Sequence, residues 1–415
     1  MKKRIINFPA MERITNPHYY DFAYPIKEVS EFLTEQTGKS YVIYSFEEDS
    51  TMIENVIVQM IEDEDEDLQI FGPVYDFLNE KRIVEEKNSY KILTAQNNFV
   101  YYFPEFNLGY AHIHIFQQHV DYDHEFIFAT ADENIKNFLK FVNKKARTQM
   151  LEGITILTDT EDGLEYSREE ITNQINRDDV LLAEKVKQEI FRSIDQFFKE
   201  EGEFFVTYQI PYKRGILLYG SPGNGKTTLV KSIAGSVGAP VLYWQITEYT
   251  TSYSIKEVFD LATKLAPAIL IIEDIDSMPY ESRSYFLNTL DGATSKEGIF
   301  IIGTTNYPEK IDPALINRAG RFDRAYEIKF PTEELRQKYL LHKKIDQFIG
   351  RESINQLVKQ TEGLSIAQLN ELYMSIALAM HYEQKVNVGE IVKELKENQR
   401  RTMKNDWDDE GTIGF

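Results

Sequence analysis

A chain of 415 residues carrying 46 basic against 67 acidic side chains, a formal net charge of −21, is too long for one core and lacks the basic surplus of a nucleic-acid binder. Its composition, 42% hydrophobic and 27% charged, is that of a folded globular chain, and with no cysteine it forms no disulfide, thiolate metal site or cysteine nucleophile. No stretch approaches the roughly 18 apolar residues of a membrane span, and the basic opening is broken by Asn7, Pro9, Glu12 and Arg13 before a signal-peptide core forms, so two or three cytoplasmic domains without a membrane span are expected.

Residues 1–150 are rich in Tyr and Phe and read as a self-contained α+β domain, the one expected to meet substrates or other copies of the chain. Strands are expected over 39–46 and 52–61. The acidic run Glu62-Asp63-Glu64-Asp65-Glu66-Asp67 follows as a solvated loop, because like charges at that density repel. Further strands are expected over 90–93, 100–103 and 110–116. A helix is expected over 132–147, with Ile135, Phe138, Leu139 and Val142 on one face. His112, His114, His119 and His124 fall close together here. On a strand His112 and His114 share a face, as two metal ligands would, but no acidic residue stands between them in a catalytic pattern and surface strands often carry histidine. The surface reading is preferred.

Residues 151–207 read as a connecting segment containing a helix over 181–198, with Leu182, Val186, Ile190, Ile194 and Phe197 at helical spacing. The chemistry begins after it. Residues 220–227, Gly-Ser-Pro-Gly-Asn-Gly-Lys-Thr, match G-x-x-x-x-G-K-[ST] between a short apolar strand (216–219) and a helix (228–237). Gly220, Gly223 and Gly225 permit positive φ and bring backbone N–H groups close to phosphates, Lys226 reaches the β- and γ-phosphates, and the Thr227 hydroxyl completes a Mg²⁺ shell. Strand before and helix after set this apart from an ordinary glycine-rich turn. The apolar run 268–272 reads as a strand buried on both faces that delivers Glu273 and Asp274 to the ligand-binding end of a parallel sheet, one carboxylate for the Mg²⁺ water shell and the next for the attacking water. A third strand, 299–303, ends in Thr304-Thr305-Asn306, an amide able to orient water. Arg318, Arg321 and Arg324 follow within seven residues. They suit transition-state charge or, equally by spacing, a solvated loop paired with Asp323.

In this order and spacing, Gly-Ser-Pro-Gly-Asn-Gly-Lys-Thr, Ile-Ile-Glu-Asp-Ile-Asp, Gly-Thr-Thr-Asn and Gly-Arg-Phe-Asp-Arg resemble an AAA-type (AAA+) ATPase module, over residues 175–385. The resemblance implies an α/β fold: a P-loop, doubly wound parallel sheet over 208–335, a helical lid over 336–400 and then a polar tail. It also implies a homohexameric ring with ATP and Mg²⁺ between subunits. The resemblance makes Gly220, Ser221, Pro222, Gly223, Asn224, Gly225, Lys226, Thr227 and Thr228 the nucleotide loop, with Thr227 and Glu273 on the metal. It puts Asp274 where the family has its catalytic glutamate, Asn306 at the water-sensing position, and Arg321 and Arg324 as arginine fingers acting on the neighbouring subunit's ATP. His342 matches the histidine beside the nucleoside, and Ala367 the lid contact to adenine and ribose, with Ile366 in place of the usual glycine.

The Glu-Asp order, where the family usually has Asp-Glu, and the lead-in over 178–220 are similar to the mitochondrial AAA translocase that exports the folded Rieske iron–sulfur protein. The N-terminal part resembles that of soluble bacterial chaperone-like relatives. Peptide-threading members carry an aromatic-x-Gly pore loop, and no such tripeptide occurs over 241–253, although Tyr249 or Tyr253 remains available to a pore. Chaperone activity on protein clients, unfolded or folded, is therefore expected ahead of a dedicated translocation factor, a threading unfoldase or a nucleic-acid motor.

Overall fold

The computed structural model describes residues 23–45, 51–75, 81–86, 89–94, 98–117, 120–151, 153–170, 175–292, 297–315 and 321–404. The basic opening, Arg318 and Trp407 of the tail lie outside them. The chain divides into two compact units, Met1–Thr148 and Gln149–Phe415.

The first unit runs α1 (Ala23–Thr37), β1 (Val42–Tyr44), α2 (Thr51–Glu62), β2 (Gln69–Pro73), β3 (Lys81–Glu86), β4 (Ser89–Thr94), β5 (Phe99–Phe103), β6 (Leu108–Gln117), β7 (Val120–Ala129) and α3 (Asp132–Met150). Five strands form an antiparallel sheet in the order β1-β7-β6-β5-β2, and β3 and β4 pair as a separate hairpin. Alternation along β5 sends Tyr101 and Phe103 to the face covered by α2 and α3, and Val100 and Tyr102 to the face covered by α1. The strand expected over 52–61 is a helix instead. Ile53, Val56, Ile57 and Met60 recur at three- and four-residue spacing and are all buried against the sheet, a period that a near-continuous apolar run conceals. The acidic run is a turn, as its charge density requires, and Lys145 of α3 pairs with Asp65 and holds that carboxyl below its ordinary pKa.

The second unit is α/β. Its elements are β8 (Gly153–Thr160), β9 (Gly163–Glu170), α4 (Glu184–Phe198), α5 (Glu203–Thr207), β10 (Lys213–Tyr219), α6 (Lys226–Ala234), β11 (Val241–Gln245), α7 (Ser252–Lys264), β12 (Ala268–Glu273), α8 (Tyr280–Asp291), β13 (Ile299–Thr305) and β14 (Arg324–Glu327), followed by α9 (Glu333–His342), α10 (Arg351–Gln360), α11 (Ile366–Tyr382) and α12 (Val388–Lys404). The sheet order is β14-β10-β13-β12-β11-β8-β9, parallel throughout except for β9. The segment 151–207, expected to be a connector, itself supplies the two strands beyond β11.

Helices cover both faces, as a sheet of continuous apolar strands requires. Leu217, Leu242, Leu270 and Ile301 face α7 and α8, while Ile216, Ile271, Phe300 and Ile302 face α4 and α6. The helices α9–α12 close on their own core of Leu340, Leu357, Leu369 and Ile376. β10 lies between β13 and β14, so the loop after it emerges beside the C-terminal ends of β12 and β13, where open α/β sheets bind ligands. Among the described residues no helix is long and apolar enough to cross a membrane.

Candidate active site

The turn from β10 into α6 is built on glycine. Gly220 has φ 141°, and a Cβ there would stand 2.4 Å from the Ile328 carbonyl oxygen. Gly223 and Gly225 lie at φ 76° and 92°, and Gly225 serves as the N-cap of α6. The first intrahelical bond runs from Leu229 N to Gly225 O at 2.9 Å, so the N–H groups of residues 226–228 have no carbonyl inside the helix and point out of its N-terminus. An anion is favoured there by both the donors and the helix dipole. Lys226 is buried, and its Nζ donates to the carbonyls of Gly220 (2.6 Å) and Ser221 (3.2 Å). Burial lowers its pKa, against the pull of the Asp274, Glu273 and Asp276 carboxylates. Asn224 is also buried. It donates to Ser221 O at 3.3 Å, and its Oδ1 has no hydrogen-bond partner.

The carboxylates arrive from β12. Glu273 Oε1 accepts the Thr227 hydroxyl at 3.0 Å, and the Tyr243 phenol on neighbouring β11 lies beside Glu273. Burial first, then the neighbouring Glu273 carboxylate, pushes the Tyr243 phenol far above its ordinary pKa. Asp274 adopts φ 53°, a left-handed conformation that aspartate tolerates better than most residues, and its carbonyl accepts Ser277 N at 2.8 Å to start a 3-10 turn. The chain thus leaves the strand abruptly and presents the carboxylate at its end.

Asn306 Nδ2 donates to Asp274 Oδ1 at 3.3 Å, Asp274 N donates to Thr304 Oγ1 at 3.3 Å, and the Thr305 hydroxyl donates to Asp276 at 2.6 Å. The ends of β12 and β13 are therefore wired together. Burial raises the Asp274 pKa, with Glu273 and Asp276 adding to it and Lys226 opposing.

Above these groups lies a cleft of about 630 Å³. Pro222, Gly223, Gly225, Lys226, Thr227 and Thr228 form its floor, with Glu273, Asp274, Thr304 and Asn306 along one wall. Gly220, Ser221 and Asn224 do not line it. At the far end are His342, Ile366, Ala367, Tyr339 and Asn370 from the helical subdomain, facing Ile175, Asp179 and Leu181. Ser365 caps α11 in a reciprocal box with Gln368, and Ala367 N donates to Gly223 O at 2.9 Å, so the lid helix rests on the phosphate loop. Ile366 lines the cleft and adds apolar surface at that end. His342 Nε2 lies 3.8 Å from Asp179. The hydroxyl of Thr227 and the carboxylate of Glu273 offer hard oxygen donors side by side, a set that suits Mg²⁺.

Arg321 and Arg324 do not line the cleft of their own chain. Arg321 is buried and held side-on by Asp291, with Nε 2.6 Å and Nη2 2.7 Å from the two carboxylate oxygens. Arg324 is largely exposed, with Nη1 3.4 Å from Glu189. Asp323 lies 3.8 Å from Arg214 of β10. It accepts from Gly215 N at 3.0 Å and tethers the arginine segment to β10. Sequence reading missed Tyr243, Thr304, Asp276 and Asp179. Only the two residues flanking known motif positions, Thr304 and Asp276, had any local signal.

Residues 216–330 match the AAA family, the ATPase family associated with various cellular activities. The chain is also similar to the ATP-dependent zinc metalloprotease FtsH of Nitrosococcus oceani, with 32% identity over 233 residues, 51% of this chain and 36% of that protein. For the same protease of Caldicellulosiruptor bescii the values are 30% identity over 247 residues, 54% and 39%. For that of Veillonella parvula they are 32% over 241 residues, 53% and 37%. The matched stretch thus spans little more than a third of the length of these relatives. The match to an AAA ATPase domain accordingly lies within the second unit, over residues 216–330.

Proposed function

We propose that this chain hydrolyses ATP to ADP and phosphate and uses the cycle to act as a chaperone on protein clients. The observation carrying the reading is that Lys226, Thr227, Glu273, Asp274 and Asn306, from three separate strand ends, meet in one cleft roofed by His342 and Ala367. The N–H groups of residues 223–228 and Lys226 bind the phosphates. The nucleoside lies between Ile175, Leu181 and Ile366. Asp274, oriented by Asn306, holds the attacking water and takes its proton as the γ-phosphoryl bond breaks. Thr227 and Glu273 would hold Mg²⁺, which supplies charge neutralisation on the phosphate oxygens. Arg324, exposed and clear of its own cleft, is the side chain best suited to reach the ATP of a neighbouring subunit in a homohexamer, whereas Arg321 braces the segment through Asp291.

The zinc-protease activity in the relatives' name is not carried over, because no H-E-x-x-H occurs in these 415 residues. The overall acidity supports protein clients over nucleic acid. A second reading, a client-gripping unfoldase or a translocation factor for one folded protein, draws support from Tyr249 and Tyr253, exposed on the loop between β11 and α7 and at the start of α7.

The test is aggregation of a heat-stressed model protein, followed with ATP, without ATP, and with Lys226→Ala. Suppression that responds to ATP and changes in the variant is the expected result. Suppression indifferent to both overturns the ATP-cycled reading and leaves a passive holdase, and no suppression with ATP turnover intact points to the dedicated-factor reading.

A further inference from the structure

Outside the cleft, the first unit carries a cluster that the ATPase reading does not use. Glu54 on α2, His112 on β6 and Glu125 on β7 each bring one ligand-type atom within 4.8 Å of the others, and among the described residues they are the group of this kind. His112 and Glu125 are direct cross-strand partners in the β6–β7 register, so the sheet itself sets that pair. Glu54 reaches in from the helix, with Oε1 2.8 Å from His112 Nδ1. All three side chains are half-buried, near enough to the surface for an ion to enter.

A second observation points into the same place. Tyr110 lies two residues before His112 on the same face of β6 and is 2% exposed. Its hydroxyl lies beside Glu125 and Glu54, whose charges add to burial in raising its pKa, yet it makes no bond of normal hydrogen-bond geometry. Leaving a buried phenol without a hydrogen-bond partner is unfavourable. A metal ion, or a water on one, gives it that partner.

We propose that Glu54, His112 and Glu125 bind a divalent transition-metal ion, Zn²⁺ in the first instance, with the Tyr110 hydroxyl as fourth donor or as partner of a metal-bound water. One imidazole nitrogen and two carboxylate oxygens make a mixed donor set that suits Zn²⁺ or Mn²⁺, whereas Mg²⁺ and Ca²⁺ favour oxygen alone. Bonds of about 2.0–2.2 Å place neighbouring ligand atoms roughly 3–3.6 Å apart. The set therefore closes on an ion with a small shift of one carboxylate. The ion pins α2 to the middle of the sheet, joining three elements that are separated along the chain.

The experiment is equilibrium dialysis of the full chain against micromolar Zn²⁺ with excess Mg²⁺, with zinc content and thermal unfolding measured on wild type, His112→Ala, Glu125→Gln and Glu273→Gln. The expected result is one zinc per chain in wild type and Glu273→Gln, with affinity at least about tenfold weaker in the other two, the scale on which even supporting contacts of metal sites act. Zinc should also raise the unfolding temperature only where it binds. Glu125→Gln preserves shape, and its unfolding temperature in EDTA, matched to wild type in EDTA, separates lost ligation from misfolding. No zinc on the wild type overturns the proposal, and so does undiminished zinc on His112→Ala and Glu125→Gln. Loss confined to Glu273→Gln assigns the ion to the nucleotide cleft and overturns it equally.

Discussion

The contact between lid and phosphate loop can be tested by adding single methyl groups. Gly223 and Gly225 both sit at positive φ, 76° and 92°, where a Cβ costs about 1–2 kcal/mol. Their surroundings differ. A Cβ on Gly225 meets nothing within 4 Å, whereas on Gly223 it would stand 2.9 Å from Ala367 Cβ and 3.0 Å from Ser365 Oγ. Overpacking of that kind adds about 1–3 kcal/mol. Gly225→Ala should therefore lose about 1–2 kcal/mol and Gly223→Ala about 2–5 kcal/mol.

The assay is urea unfolding without nucleotide, followed by fluorescence of Trp244, which is fully buried in the second unit, in a Trp407→Phe background. Adding Ala367→Gly removes the 2.9 Å contact. Alone it costs about 0.5–1 kcal/mol in the first turn of α11. Combined with Gly223→Ala it should recover about 1 kcal/mol of coupling. Equal losses at the two glycines, with no coupling to Ala367, would refute the claim that the lid rests on the loop.

Other expectations follow from the same geometry. Because burial and two neighbouring carboxylates raise the folded-state pKa of Asp274 above 3.8, its contribution to stability is fully present below 3.8 and is lost as pH rises through the folded pKa. Asp274→Asn should consequently raise the unfolding temperature at pH 8, and that advantage should shrink towards pH 4. At pH 8 the same variant should bind ATP yet hydrolyse it about 10²–10⁴-fold more slowly, measured by phosphate release. Arg321→Ala leaves Asp291 without its side-on partner and should cost about 3 kcal/mol in urea unfolding. Arg324→Ala should leave stability within about 0.5 kcal/mol of wild type while lowering turnover about 10³-fold in assembled protein. Asp159, buried in β8, accepts from Trp244 Nε1 at 2.9 Å and Thr250 Oγ1 at 2.6 Å. Asp159→Ala strands both donors, at about 1–3 kcal/mol each. It should shift Trp244 emission and raise hydrogen exchange over residues 246–251, and unchanged exchange there would show that Asp159 does not hold this loop.

The reach of the sequence depended on whether a feature is local. The phosphate loop was legible because its donors, glycines and lysine are consecutive and its strand and helix adjoin it. The run 268–272 was legible because only a strand covered on both faces is that apolar. Local spacing also placed α3 and α4. Where apolar residues run nearly without a break, period alone does not separate helix from strand, and only the shared burial of Ile53, Val56, Ile57 and Met60 shows α2 to be a helix.

What brings distant segments together was not legible. Nothing near residue 155 announces a strand that pairs with β11, because a parallel neighbour leaves no mark in the intervening chain. The three arginines looked alike by spacing, yet packing buries Arg321 on Asp291 and exposes Arg324. Alternation along the sequence links His112 only to His114, whereas the cross-strand register delivers Glu125 and the covering helix delivers Glu54. Consecutive residues fix the donors of a phosphate loop by covalent spacing alone. The partners of Glu273, Arg321 and His112 depend on sheet order, register and helix packing, which are set by burial across the whole chain.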